Sequence, residues 1–245
     1  MRYRRVLVKL SGQAIAGHQP FGFDPVALNH IAHEIRLLYS KGVQVGIVVG
    51  GGNIFRGELG EQWGIERAEA DNIGMMATVT NSLMVRGVIE SKGDAEVRVM
   101  TAIPINSVAE PFIRLRGVRH MERGYIVVLA AGTGNPYVTT DYPAVQRAIE
   151  LRCEAILSAK HGIDGIYTGD PRREKGARRY QTVEYDTVIQ QNLKALDQSA
   201  VLLARDHGLP IHVFDFDRPN AMFEICEGLD VGTLIARGVG DKLTS

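Results

Sequence analysis

Short apolar runs alternate along the chain with longer stretches in which apolar residues recur every three or four positions. The runs RVLVKL (5–10), VQVGIVV (43–49), VRVM (97–100), YIVVLAA (125–131), AILSA (155–159), LPIHVFDF (209–216) and VGTLIA (231–236) read as strands. Between the first two, Leu28, Ile31, Ile35 and Leu38 mark one face of a helix. Asp24 is its expected N-cap, Pro25 its first residue and Lys41-Gly42 its end. Further helices are expected over 66–90, 109–122, 141–151, 186–207 and 219–227. The first of these counts Met75, Val79, Leu83 and Val88 among its apolar positions, with Gly74 and Gly87 weakening its continuity. The turn-rich, charged stretch 161–180 reads as a hairpin followed by a mobile loop.

Strands alternating with helices predict an α/β fold: a central, mainly parallel sheet covered by helices on both faces, a three-layer α/β/α sandwich. No repeat or linker interrupts it, so one continuous domain is expected, with lobes 1–150 and 151–245.

Composition narrows the function classes. The chain has 245 residues, 45% hydrophobic, and its 28 basic and 28 acidic side chains cancel. Global attraction to nucleic acid or an anionic membrane is therefore not expected, and any anion site must be local. Cys153 and Cys226 stand far apart without a C-x-x-C pair, which speaks against a disulfide framework or zinc finger and fits a reducing compartment. MRYRRVLVKL lacks the apolar core of a signal peptide, and YIVVLAAG is far short of the roughly 20 residues that span a bilayer. A cytoplasmic protein is expected.

The candidate chemistry collects at strand ends, where parallel sheets bind ligands. KLSG (9–12) ends the first strand, GGGNIFRG (50–57) the second; AGTGNPYVTTD (131–141) and DGIYTGDP (164–171) follow the fourth and fifth. Glycines let backbone N–H groups approach an oxyanion, Lys9 adds a point charge, Arg56 a planar fork, and Thr133, Thr139 and Thr140 hydroxyls. Each stretch alone also reads blandly: Gly50–Gly52 as a tight connection, Lys9 as a solvated charge, TGNP as a turn, Asp141 as a helix cap. Their convergence points to a phosphate-bearing ligand. Walker, dinucleotide and protein-kinase motifs are absent. His30 and His33 lack the H-E-x-x-H order and read as solvated or interface residues. His161 lies beside a candidate loop. Among the acids, Asp71, Asp141, Asp164, Asp170 and Asp197 fall in or near these stretches. An acid among cations and phosphates can orient a lysine or hold magnesium.

GGGNIFRG, MMATVTN (75–81), AIPIN (102–106), AGTGNPYVTTD and DGIYTGDP occur in one order. On these motifs the chain resembles the bacterial uridylate kinases of the amino acid kinase superfamily, from KLSG to GTLI. The resemblance implies that fold, magnesium- and ATP-dependent phosphorylation of UMP in pyrimidine nucleotide synthesis, a homohexamer, and GTP and UTP as effectors. It assigns ATP contacts to Lys9, Leu10, Ser11, Gly12, Gly52, Arg56, His161, Tyr167 and Asp170, with Lys160 competing for the place of His161. It assigns UMP contacts to Gly51, Asp71, Thr133, Gly134, Asn135, Pro136, Tyr137, Val138, Thr139 and Thr140. Gly17, His18, Gln19, Pro20, Phe21 and Gly22 overlie a stretch linked to GTP activation, but differ from common members in composition. In LKALD, Asp197 stands where acyl-phosphate-forming relatives carry a second lysine, which favours a nucleotide substrate; Lys194 is another source of charge.

The acceptor of such a reaction is an anionic phosphate, so no general base is needed and catalysis reduces to positioning and charge neutralisation. Lys9, Arg56 and Asp141 are the expected catalytic set. The metal ligands are left open. An acyl-phosphate-forming kinase of the same superfamily and a non-catalytic nucleotide sensor are the alternatives.

Overall fold

The computed structural model describes residues 1–194 and 196–244. The chain opens with β1 (Arg5–Leu10), α1 (Gly12–Ala16), α2 (Pro25–Ser40), β2 (Gln44–Val49), α3 (Gly57–Gln62) and the long α4 (Arg67–Glu90). It continues through β3 (Val97–Thr101), β4 (Glu110–Pro111), α5 (Arg114–Glu122), β5 (Ile126–Ala130), α6 (Asp141–Glu150) and β6 (Ala155–Lys160). It ends with β7 (Tyr180–Val183), α7 (Tyr185–Gln190), α8 (Gln198–His207), β8 (Ile211–Asp215), α9 (Ala221–Glu227), β9 (Thr233–Ile235) and β10 (Lys242–Leu243).

The described strands form one sheet in the order β10-β7-β9-β8-β6-β1-β2-β5-β3-β4. Its pairs are parallel except β8 with β9 and β7 with β10. Side chains alternate across it. Val6, Val8 and Leu10 pack with Leu28, Ile31, Ile35 and Leu38 of α2 and with Val85 and Ile89 of α4. Leu7 turns the other way, to Val145 and Ala148 of α6 and Val201 and Ala204 of α8. Lys9 shares the parity of Leu7, so its side chain is directed toward the α6 face.

Most expected elements are present, including the Asp24 cap, whose carboxylate accepts a 2.8 Å hydrogen bond from the Val26 N–H. Gly74 and Gly87 do not break α4. Two expectations are corrected. The helix expected over 109–122 begins only at Arg114, because Glu110–Pro111 pairs with Met100–Thr101. Proline has no N–H to give, and β4 lies at the sheet edge, where none is required. The helix expected over 186–207 is two helices: Asn192 takes a left-handed conformation (φ 49°) just after α7. Ala195, within that stretch, lies outside the described residues. The hairpin expected within 161–180 is a short one: Tyr167 pairs antiparallel with Arg179, the Thr168 N–H donating to the Arg178 carbonyl at 3.0 Å and the Tyr180 N–H to the Ile166 carbonyl at 2.8 Å. After the strand expected at 231–236 comes a further strand, β10, which pairs with β7. α1, α3, β4, β7 and β10 are too short for periodicity to reveal.

Candidate active site

Register brings the glycine-rich loops together. Leu10 pairs with Val49, Lys9 with Ser158 of β6, and Val48 with Leu129 of β5. The segments after β1, β2, β5 and β6 therefore leave one edge of the sheet side by side.

The three glycines after β2 have different reasons to be bare. A Cβ on Gly12 would lie 2.6 Å from the Asn53 nitrogen, and one on Gly50 would lie 3.2 Å from the Gly12 nitrogen. The first two loops thus pack backbone on backbone. A Cβ on Gly51 would lie 2.7 Å from the Gly74 carbonyl oxygen of α4. Gly52 meets nothing nearer than the Arg56 side chain at 4.0 Å. Close packing accounts for Gly12, Gly50 and Gly51, whereas Gly52 presents open backbone.

Buried amides hold this loop in place. Asn81 on α4 donates to the Gly50 carbonyl at 2.7 Å and to the Asn53 carboxamide at 2.6 Å. Asn53 donates to the Gly22 carbonyl at 2.9 Å, while the Gly22 N–H donates to the Asn53 carbonyl at 2.7 Å. The glycine loop is thereby tied to α4 and to the 17–22 segment. Sequence reasoning overlooked this pair, although an asparagine among the buried positions of a helix is a signal, since a buried amide demands partners.

Beyond Gly52 opens a cavity of about 410 Å³. Gly51, Gly52, Arg56, Asp71, Asn135, Val138, Thr139 and Thr140 are among its lining residues. Arg56 is exposed and lies along the loop, its Nε donating to the Gly52 carbonyl at 3.0 Å. On the opposite wall the Asp71 carboxylate accepts from the Arg67 Nε at 3.0 and 3.1 Å and from the Tyr137 N–H at 2.7 Å. Asp71 thus anchors the 133–140 loop, in which Gly134 and Tyr137 both have positive φ (79° and 66°).

Charge concentrates where β1 meets α6. The Lys9 Nζ is 2.6 Å from Asp141, and both side chains are largely buried. Thr140 precedes α6 without a side-chain cap. Burial pushes the Asp141 carboxyl up, but the Lys9 and Lys160 charges, the Lys9 hydrogen bond and the Asp197 N–H together bring it below its ordinary range. Lys160 is held down by burial and by Lys9, against the pull of Asp141 and Asp197. Asp197 does not cap α8 with its side chain; it accepts from the Thr139 hydroxyl, and its N–H donates to Asp141 at 3.1 Å.

Other expected residues lie apart. Ser11 caps α1, accepting from the Ala14 N–H at 3.2 Å. His161 follows Lys160 but turns to the α1–α2 side, where its Nδ1 is 3.0 Å from Asp217 and its ring meets His18 edge-on. His161, His18 and His30 line a second cavity, of about 380 Å³. Tyr167 and Asp170 sit in the β6–β7 loop and bond within it, Tyr167 to Asp164 at 2.7 Å and Asp170 to the Arg172 N–H at 3.0 Å.

A family model described as the amino acid kinase family matches residues 4–215. The uridylate kinase of Frankia casuarinae is 55% identical over 235 residues, spanning 96% of this chain and 91% of that protein. The chain belongs to the uridylate kinases of the amino acid kinase family. Its fold matches the crystal structure of UMP kinase from Bacillus anthracis with a TM-score of 0.97 and 54% identity over the whole of both chains. UMP kinase from Ureaplasma parvum matches with a TM-score of 0.90 and 32% identity, over 97% of this chain and 100% of that one. Among the described residues of this family member no helix is long and apolar enough to cross a membrane.

Proposed function

We propose that the protein transfers the γ-phosphoryl group of ATP to UMP, forming UDP for pyrimidine nucleotide synthesis. One observation carries the reading. In a chain this similar to UMP kinases, a single cavity joins bare backbone at Gly52 and the Arg56 fork to an acid-anchored loop at Asp71. Phosphate suits the first wall, and nucleoside hydroxyls suit a carboxylate on the second. Lobe 1–150 would hold UMP, with Gly51, Asp71 and 133–140 as its contacts. Lobe 151–245 would hold the ATP nucleoside near Tyr167 and Asp170, its phosphates over Lys9–Gly12, Gly52 and Arg56. An acyl-phosphate product is not favoured, because the similar proteins named above are uridylate and UMP kinases.

The acceptor is already an anion, so the protein's task is to hold two polyanions in line and offset their repulsion. Lys9, fixed by Asp141, is aimed at the transferring phosphoryl; Arg56 spans donor and acceptor phosphates. Lys160 adds a third cation beside them. Among the described residues no three His, Cys, Asp or Glu side chains converge as a metal cage. Magnesium carried on nucleotide phosphates would keep most of its water and take one or two carboxylates, which Asp141 and Asp197 would supply. When bound, the ion supplies further neutralisation of phosphate charge.

Asp71→Asn tests the acceptor wall. It keeps the side chain's shape and removes its charge, so KM for UMP should rise about 10-fold or more, as for loss of a hydrogen bond to a charged group. The kcat should change far less. Steady-state kinetics with each substrate varied decides it: an effect confined to KM for ATP sinks the assignment.

The resemblance also supports a cytoplasmic homohexamer activated by GTP through 17–22 and inhibited by UTP. Light scattering and assays with each nucleotide test these points; a monomer insensitive to both would refute them.

A further inference from the structure

The loop that follows β5 starts on unusual backbone. Ala131 and Gly132 are both left-handed, with φ of 61° and 56°. Glycine takes that conformation freely, but in alanine the Cβ crowds the carbonyl. A non-glycine residue persists there only where its surroundings fix it. Ala131 is fully buried, and its carbonyl accepts from the Gly134 N–H at 2.8 Å. The chain is thus turned sharply as it leaves the sheet.

Two buried side chains grip this turn from opposite faces of the sheet. Thr78 comes from α4, which packs on the α2 face. Its hydroxyl donates to the Met75 carbonyl at 2.7 Å, and its oxygen accepts from the Ala131 N–H at 2.8 Å. With its proton committed to the helix backbone, that oxygen is left as an acceptor. Arg147 comes from α6, on the other face. Its Nη2 donates to the Gly132 carbonyl at 3.1 Å and its Nη1 to Glu150 at 2.6 Å. The guanidinium lies 4.0 Å from the centre of the Phe112 ring, so its plane is fixed as well. One clamp holds the N–H that enters the turn, the other the carbonyl that leaves it.

We infer that Thr78 and Arg147 are positioning residues that set where the acceptor wall of the catalytic cavity stands. The inference rests on the reading of 133–140 as the UMP loop. Gly132, Asn135, Val138, Thr139 and Thr140, all beyond Ala131, line that cavity. The far part of the loop has its own anchors, Tyr137 on Asp71 and Thr139 on Asp197. The near part is set by the left-handed turn. Released from Thr78, Ala131 would relax toward an ordinary φ and carry the near part away from Gly52 and Arg56. Transfer between two phosphates depends on that spacing, so the clamp acts on the reaction without touching the reacting atoms.

Thr78→Val tests the inference, with Thr78→Ser as its conservative partner. Valine keeps nearly the same shape but leaves the buried Ala131 N–H unpaired. KM for UMP should then rise about 10-fold, while KM for ATP stays within about twofold, the scale of one buried donor left unsatisfied. Hydrogen exchange of the ligand-free protein should quicken over 131–137 and stay unchanged in β1 and α2. Thr78→Ser, which restores the acceptor, should match wild type in both. Arg147→Lys keeps the charge but loses the fork that serves Gly132 and Glu150 together, so it should show the same pattern and stands in if Thr78→Val does not fold. Unchanged KM for UMP, exchange quickened evenly along the chain, or a Thr78→Ser variant as impaired as Thr78→Val would overturn the inference. Wild type that does not turn over UMP would instead refute the functional reading, and quickened exchange confined to 131–137 would still support the clamp.

Discussion

Lys9→Met is expected to lower kcat by about 10²–10³-fold, the scale set by removing one preorganised group that stabilises transition-state charge. KM for UMP should move little, because its proposed contacts lie on the 71 and 133–140 side. The same change should also destabilise the fold, since it strands Asp141 in a largely buried site 2.6 Å from where its partner stood. Breaking such a pair costs on the order of 3 kcal/mol. Lys9→Met combined with Asp141→Asn separates the two effects: urea unfolding should recover most of the lost stability, while kcat stays low. Recovery of both would mean that Lys9 serves the fold and not the phosphoryl group. The pair also sets an acid dependence. The folded Asp141 pKa lies below its ordinary value of 3.8, so its contribution is present above about pH 4 and is lost as pH falls through the lowered value. In Lys9→Met that contribution shrinks.

A second large effect is expected on acid stability, from a residue outside the site. His212 in β8 is 3% exposed, and its Nε2 lies 3.0 Å from the Tyr3 hydroxyl. Burial, then the nearby Arg2 charge, bring its pKa from 6.5 down to about 3. The unfolded chain takes up a proton near pH 6.5 that the folded chain refuses until far lower pH. Stability from this group is therefore full above pH 6.5 and falls by up to about 1.4 kcal/mol per pH unit below it. Urea unfolding between pH 7.5 and 4.5 should show that slope. His212→Gln, which can still reach Tyr3, should flatten it by roughly one proton's worth. Equal slopes in the two proteins would show that His212 takes up its proton in the fold.

Much of this architecture was legible in the sequence because its strands are long enough to show an apolar run and its central helices long enough to show a period. The convergence of the loops after β1, β2 and β5 follows from parallel strands alone. Alternation also separates Lys160 from His161. Ile156 of β6 belongs to the α6–α8 face and Leu157 to the α2 face. Lys160 shares the parity of Ile156 and joins Lys9, while His161 turns away to His18. Other features were not legible. β4 and β10 have two residues each, and only their pairing with β3 and β7 makes them strands. The bareness of Gly51 looked like room for a ligand but answers to the Gly74 carbonyl, a contact set by how α4 crosses the loop. Asn53 and Asn81 are 28 residues apart, and only the fold reveals that each satisfies the other.

The cavity between Gly52 and Asp71 is proposed to accept UMP as the acceptor of the ATP γ-phosphoryl group. The most direct measurement is magnesium-dependent ATP consumption with UMP, CMP, AMP, GMP and N-acetylglutamate offered singly under identical conditions. Turnover with UMP, at a kcat/KM at least 100-fold above every other acceptor, is the predicted result. Comparable turnover with N-acetylglutamate or another nucleotide, or ATP and UMP binding without consumption, would contradict it.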